Sequence, residues 1–285
     1  MLKSEVKYVR DYLKLLNEGT STRTGYGFVL NAYCKFLKKK SVKNVKRVGI
    51  EQFLLLETVK GARASANYYN YRLTILKEFF NYLIYRDVVV KNPCQYLKSK
   101  KIDKSCSKRC LSEDELKYIL RHIKDKFAFD AITVLVGTGL RSGECASLRK
   151  SNFKLMRVGD VNRYVMTVKC KGGRVRTLIV RPEVIRICMS RIMRARHLVD
   201  APVFAGRPSH KCITKVAFGN RVRKALRGAG IDEVTPHWFR HSFASAMQRR
   251  GMDVNSIRVA LGHSNLGTTQ VYLDELKVVD VSEVG

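Results

Sequence analysis

Apolar positions at helical spacing run through most of the chain, and one stretch without periodicity interrupts them. The candidate capping residues Thr20, Ser21 and Thr22 precede a run that places Phe28, Tyr33, Phe36 and Leu37 on one side of a helix. Ser65 precedes a longer run with Leu73, Leu76, Phe79, Phe80, Leu83 and Ile84. With weaker helical patterns near residues 3–17 and 48–58, these predict a small four-helix bundle. Residues 98–109 are polar, basic and aperiodic, and they lie between Asn92-Pro93 and Leu111-Ser112-Glu113. Ser112 with Glu115 three positions on forms a capping box, and Leu116, Ile119 and Leu120 follow at helical spacing. The pattern divides the chain into a helical domain at 1–98, a basic linker at 99–110 and a second domain at 111–285.

In the second domain, Phe127 to Leu140 reads as a buried helix that stops at the Gly137-Thr138-Gly139 turn. Tyr164, Met166 and Val168 alternate with Val165, Thr167 and Lys169, and Arg174 to Val180 forms another extended run. Lys171-Gly172-Gly173 between them predicts a hairpin turn with Lys171 at its tip. Thr235-Pro236 marks a helix start, with Thr235 as cap and proline in the first turn, and Gly251 marks its end. On that helix His237, Arg240 and His241 share a face. Val254 to Leu261 forms a shorter helix ending at Gly262, with His263 just beyond, and Thr268 caps a helix carrying Tyr272. The expected fold is mainly α with a small antiparallel β-sheet, in two domains.

Charge narrows the partner. The 285 residues include 55 Lys and Arg against 24 Asp and Glu, a formal charge of +31, so a polyanion, nucleic acid first, is expected. The excess is spread out, with +12 on residues 1–98, +4 on 99–110 and +15 on 111–285. A protein that grips a duplex from two sides needs such a distribution. No long uncharged apolar stretch and no signal-peptide pattern is present, so a soluble cytoplasmic protein without membrane association is expected. The eight cysteines are scattered with no C-x2-C pair, which reads as free thiols in a reducing compartment, with no metal site.

Four separated stretches carry candidate chemistry: Thr138-Gly139-Leu140-Arg141-Ser142-Gly143-Glu144, Cys170-Lys171-Gly172-Gly173-Arg174-Val175-Arg176, His237-Trp238-Phe239-Arg240-His241, and Leu261-Gly262-His263 followed by Thr268-Thr269-Gln270-Val271-Tyr272. Displacing an alkoxide from a phosphodiester needs neutralised non-bridging oxygens, a nucleophile, and a proton for the leaving oxygen. Arg141 and Arg240 can clamp a phosphate with planar guanidiniums. Tyr272, a phenol of pKa about 10, needs a base or a positive field to act as nucleophile, and His237 can supply the base. A lysine at a mobile turn can serve as general acid, worth roughly 10²- to 10⁴-fold. Lys171 is the candidate, with Lys169 two residues away as the alternative.

Together the four stretches resemble the signature of the tyrosine recombinases, the Xer, Cre and lambda-type integrase family, and Ala66 to Pro93 is similar to the N-terminal domain of its Xer-type members. In the family pattern Gly-Lys-Gly-x-Lys-x-Arg, Cys170 and Arg174 are departures. The resemblance implies a two-domain C-shaped clamp, a SAM-like core-binding domain plus a catalytic domain, on double-stranded DNA with inverted half-sites. Catalytic roles are implied for Arg141, Lys171, His237, Arg240, His263 and Tyr272, with His263 bonded to a non-bridging oxygen. Tyr272 would form a 3′-phosphotyrosyl link, and four protomers, monomeric or weakly associated when free, would exchange strands through a Holliday junction without metal, nucleotide or other cofactor. Dimer resolution and the integration or excision of a mobile element are both implied roles.

Each motif alone has an ordinary reading: a helix-cap arginine, a turn lysine, a core-edge His-Arg pair, a dipole-capping histidine, a packing tyrosine. Their conjunction in one order carries the chemistry. A type IB topoisomerase shares the catalytic logic, and a DNA-binding protein that lost catalysis shares the fold; relaxation without recombinants, or binding without a covalent adduct, would mark them. Glu144 is expected to hold an arginine or a backbone donor, and Arg191, Arg194 and Arg196 to form a solvated helix face. The thirteen residues after Tyr272 could dock on a neighbouring protomer or on their own domain.

Overall fold

The computed structural model describes residues 3–16, 21–37, 41–56, 64–102, 110–158, 160–170, 174–195, 197–206, 210–262 and 278–282. The chain divides into two compact units, Met1–Ser105 and Cys106–Gly285.

Among the described residues the first unit holds four α-helices, α1 (Lys3–Leu15), α2 (Ser21–Leu37), α3 (Arg47–Leu55) and α4 (Ala66–Tyr85). Ser65 caps α4 by accepting a hydrogen bond from the Tyr68 amide. The core joins Leu30, Tyr33, Phe53, Leu76, Phe79 and Phe80. In α2 the buried stripe is Val29, Leu30, Tyr33, Cys34 and Leu37, while Phe28 is 59% exposed. Phe28 and Tyr33 are five residues apart, about 140° around a helix, so they cannot share a narrow face. Arg72 is buried and donates to the carbonyls of Phe53 and Leu56 at 3.2 and 3.0 Å, satisfying the end of α3.

The second unit opens with α5 (Glu113–His122), and both bonds of the Ser112–Glu115 capping box are present. Next comes α6 (Lys126–Thr138), buried almost all round because α8, α9 and α10 pack against it, which is why its sequence is apolar without a polar stripe. A short helix α7 (Ser142–Ala146) follows, then β1 (Phe153–Val158), β2 (Val161–Lys169), β3 (Val175–Ile179), α8 (Pro182–Met193), α9 (Lys215–Gly228), α10 (Pro236–Arg249), α11 (Val254–Leu261) and β4 (Val278–Asp280). Strands β1 to β3 are antiparallel neighbours, so the fold class is the expected one. The sequence reading did not include β1, nor β4, which adds to β3 in parallel, Leu178 opposite Val279.

Three local expectations are corrected. Thr235 occupies the N-cap position of α10 but makes no side-chain cap bond, so proline in the first turn is the remaining local start signal. Arg191 is no solvated residue: its side chain is 10% exposed and pairs with buried Asp130 at 2.9 Å, 61 positions away. Its guanidinium also lies over the rings of Phe127 and Phe204. The alternation expected over Tyr164 to Lys169 is not clean: Val165, Met166 and Val168 are all buried while Tyr164 is exposed, since only the inner end of β2 is covered. Among the described residues no helix is long and apolar enough to cross a membrane.

Candidate active site

Two left-handed glycines bring distant segments to one point. α6 ends at Gly139, φ +61°, where a Cβ would lie 2.3 Å from Phe243 Cδ1. Only glycine fits there, and the turn it makes places Arg141 at the N-cap of α7. α11 ends at Gly262, φ +63°, where a Cβ would lie 2.5 Å from Arg176 Nη1 and 2.6 Å from Cys170 Sγ. The end of α11 therefore sits directly on the β2–β3 hairpin.

At this junction three guanidiniums surround one carboxylate. Glu144 Oε2 accepts from the Arg141 amide and from Arg176 Nη2, both at 2.9 Å, and Oε1 accepts from Arg141 Nη1 at 2.8 Å. Arg240 Nη1 is 3.9 Å from the same carboxylate. Glu144 thus holds both an arginine and a backbone donor, as expected. Arg240 donates to the carbonyls of Gly139 and Leu261 at 2.6 and 2.5 Å, and Arg176 Nη1 donates to Leu261 at 2.8 Å. These carbonyls close α6 and α11, whose negative dipole ends favour cations. Arg141 Nη2 also reaches the Gly262 carbonyl at 3.5 Å.

Counting formal charges, Arg141, Arg176 and Arg240 against Glu144 leave +2 at the junction. Burial acts to raise the Glu144 pKa, but the Arg176 charge, with the hydrogen bonds and charge of Arg141, outweighs it and holds the carboxyl below its usual range. Burial first, then the charges of Arg141 and Arg176, lower Arg240 to about 10, so it stays cationic at neutral pH. Arg240 and Arg176 are both 4% exposed, whereas a third of the Arg141 side chain is open to solvent. The cluster carries net positive charge, with one accessible guanidinium and two buried ones.

Sequence reasoning named Arg141 and Arg240, 99 positions apart, and the structure brings them together on Glu144. His237 is exposed one turn before Arg240, its ring stacked on that of His241 at 5.9 Å between centroids. Lys171, His263 and Tyr272 lie outside the described residues. Their flanks are described: the Cys170 amide donates to the Arg174 carbonyl at 2.6 Å, Gly262 immediately precedes His263, and β4 begins six residues after Tyr272. Lys169 pairs with Val175 on the exposed face of the hairpin, while Val168 pairs with Arg176 on the buried face. The motif spacing gives Arg176 no role. Its signal was strand phase, since it alternates in register with buried Leu178 and so had to point inward.

The sequence model of the phage integrase family matches residues 109–277, more than half of the chain. The chain belongs to this family of tyrosine recombinases. Tyrosine recombinase XerA of Pyrococcus furiosus is 30% identical over 280 residues, spanning 95% of this chain and 90% of that one. Tyrosine recombinase XerC of Roseiflexus sp. is 26% identical over 274 residues, spanning 90% and 84%. Solved structures share the fold: a lambda integrase (75–356) dimer bound to a COC′ core site, at TM-score 0.71 and 16% identity, covering 94% of this chain and 98% of that one. The Tn1549 transposon integrase in complex with circular intermediate DNA matches at TM-score 0.66 and 20% identity, covering 92% of each. This Xer-like tyrosine recombinase is an enzyme of site-specific recombination that cleaves and rejoins DNA strands.

Proposed function

We propose that Tyr272 is the nucleophile, that Arg141 and Arg240 clamp the scissile phosphate, and that His237, His263 and Lys171 complete the site. The observation that carries this is the meeting of Arg141 and Arg240 at one buried carboxylate, with the chain bearing His263 and the hairpin bearing Lys171 anchored to the same cluster. His237 takes the phenol proton as the Tyr272 oxygen attacks phosphorus. The 5′ oxygen leaves with a proton from Lys171, and a 3′-phosphotyrosyl bond replaces the diester, conserving its energy for rejoining. The cationic cluster stabilises the extra negative charge of the transition state. Lys171 is taken as the acid because it stands beside Gly172-Gly173, where the resemblance places the catalytic lysine, and Lys169 is the alternative.

In this reading residues 1–98 form the core-binding domain, 99–110 the linker and 111–285 the catalytic domain. The partner is double-stranded DNA with inverted half-sites, and four protomers on two synapsed duplexes exchange strands through a Holliday junction. The XerH recombinase has been solved on a palindromic difH substrate and lambda integrase as a tetramer on a Holliday junction, which supports the same assembly here. One exchange chemistry serves dimer resolution and the integration or excision of an element.

The test is to incubate the protein in chelator with DNA from its own replicon and to sequence fragments held by a detergent-resistant link. Recurrent ends at one inverted-repeat locus, lost in Tyr272→Phe while DNA binding persists, are expected. An adduct of undiminished yield in Tyr272→Phe would remove the nucleophile assignment.

A further inference from the structure

Arg176 touches three stretches of chain, each close in sequence to a proposed site residue. Its Nη2 donates to Glu144 at 2.9 Å, three residues after Arg141; its Nη1 donates to the Leu261 carbonyl at 2.8 Å, two residues before His263; and the same Nη1 contacts Cys170 Sγ at 3.2 Å, one residue before Lys171. Both acceptors are shared, since Glu144 also takes Arg141 and the Leu261 carbonyl also takes Arg240 Nη2. The guanidinium is buried on the hairpin face away from solvent. Its Nε has no hydrogen-bond partner among the described residues. A buried donor left unpaired is unfavourable, so the orientation is set by the two Nη contacts rather than by local satisfaction.

From this geometry we infer that Arg176 is a positioning residue for the general acid: it docks the β2–β3 hairpin onto Glu144 and the end of α11, and so aims Lys171 at the leaving 5′ oxygen. The inference rests on the proposed roles of Lys171 and Tyr272. A planar fork can bond two acceptors on different segments at once, whereas an ammonium is a single point of charge on a flexible stem. Arg176→Lys therefore keeps the charge and loses the dock. Gly262 presses on the same guanidinium, which explains why this segment of α11 closes with a residue lacking Cβ.

The experiment measures single-turnover cleavage by full-length protein on two DNAs, one natural and one with sulfur in place of the bridging 5′ oxygen at the scissile position. A thiol has a pKa near 8.5 and leaves as thiolate without a proton, so the sulfur DNA bypasses the general acid. On natural DNA, Arg176→Lys and Arg176→Gln should cleave about 10²-fold slower with DNA affinity within about twofold of the parent, as expected for loss of a general acid's contribution. On sulfur DNA both variants should recover to within about tenfold of the parent, as should Lys171→Ala. Misfolding would not be repaired by a change of leaving group. If Lys171→Ala is slow and recovers while the Arg176 variants are unslowed or fail to recover, the inference falls and the proposed chemistry stands. If Lys171→Ala cleaves natural DNA at full rate, the acid assignment falls and the inference with it.

Discussion

Replacing Glu144 with glutamine keeps the side-chain shape and removes one negative charge from among three guanidiniums. An amide offers one acceptor and one donor group, yet every partner of Glu144, the Arg141 amide, Arg141 Nη1 and Arg176 Nη2, is a donor. The least costly orientation turns the amide nitrogen toward Arg141, whose side chain is 33% exposed and can turn to water. Arg176 and Arg240, with side chains 3% and 5% exposed, have no such escape. Removing one partner of a buried ion pair costs about 3–5 kcal/mol, and the lower end applies because a neutral oxygen still accepts from Arg176. In a unit the length of Cys106–Gly285 each kcal/mol moves the melting point by about 2–4 °C, so Glu144→Gln should melt roughly 6–12 °C below the parent at pH 7. The pH dependence follows from the depressed carboxyl. Its stabilisation is fully present above the ordinary value of 4.5 and is lost as pH falls through the lower folded value. Calorimetry should show the gap between parent and variant holding above pH 4.5 and closing only below it. A melting point within about 1 °C of the parent at pH 7, or a gap that persists at strongly acid pH, would refute the view that this carboxylate balances the buried arginines.

Two further substitutions probe the same frame. Gly262→Ala puts a Cβ 2.5 Å from Arg176 Nη1 at φ +63°, so urea unfolding should show a loss of at least about 1–2 kcal/mol, accompanied by slowed cleavage; a neutral effect would mean the α11 terminus does not press on Arg176. Val281→Ala trims a wholly buried side chain whose amide donates to Ile179 at 2.9 Å, and should cost about 2 kcal/mol in the same measurement, whereas a cost below about 0.5 kcal/mol would mean the strand end is not packed.

What was legible in the sequence had local causes. The Ser112–Glu115 box, proline in the first turn of α10 and the terminal glycines of α6 and α11 act within a few residues, and the elements they delimit lie where they were expected. What was missed depended on distance. Arg191 finds Asp130 sixty-one positions away, and β4 is three residues whose parallel pairing partner precedes it by about a hundred. β1, Phe-Lys-Leu-Met-Arg-Val, projects polar and apolar side chains without clean alternation because most of it is uncovered on both faces. In the site, residue types suited to phosphate chemistry named Arg141 and Arg240. Arg176 required the strand phase to be applied to a charged residue, against the habit of placing charge outside.

Strand β4 sets a tether on the proposed nucleophile. Tyr272 stands six residues before Val278 and ten after Gly262, both fixed within the catalytic unit. An extended chain spans at most about 3.6 Å per residue, so the Tyr272 Cα can lie no farther than roughly 22 Å from the sheet edge while β4 stays paired. With Tyr272 as the proposed nucleophile, the captured 3′ end would inherit that leash after cleavage. It would meet an incoming 5′-hydroxyl inside a small sphere where effective concentrations are in the millimolar range. A three-residue strand at the margin of the sheet would thereby limit how far apart two duplexes can lie and still exchange ends.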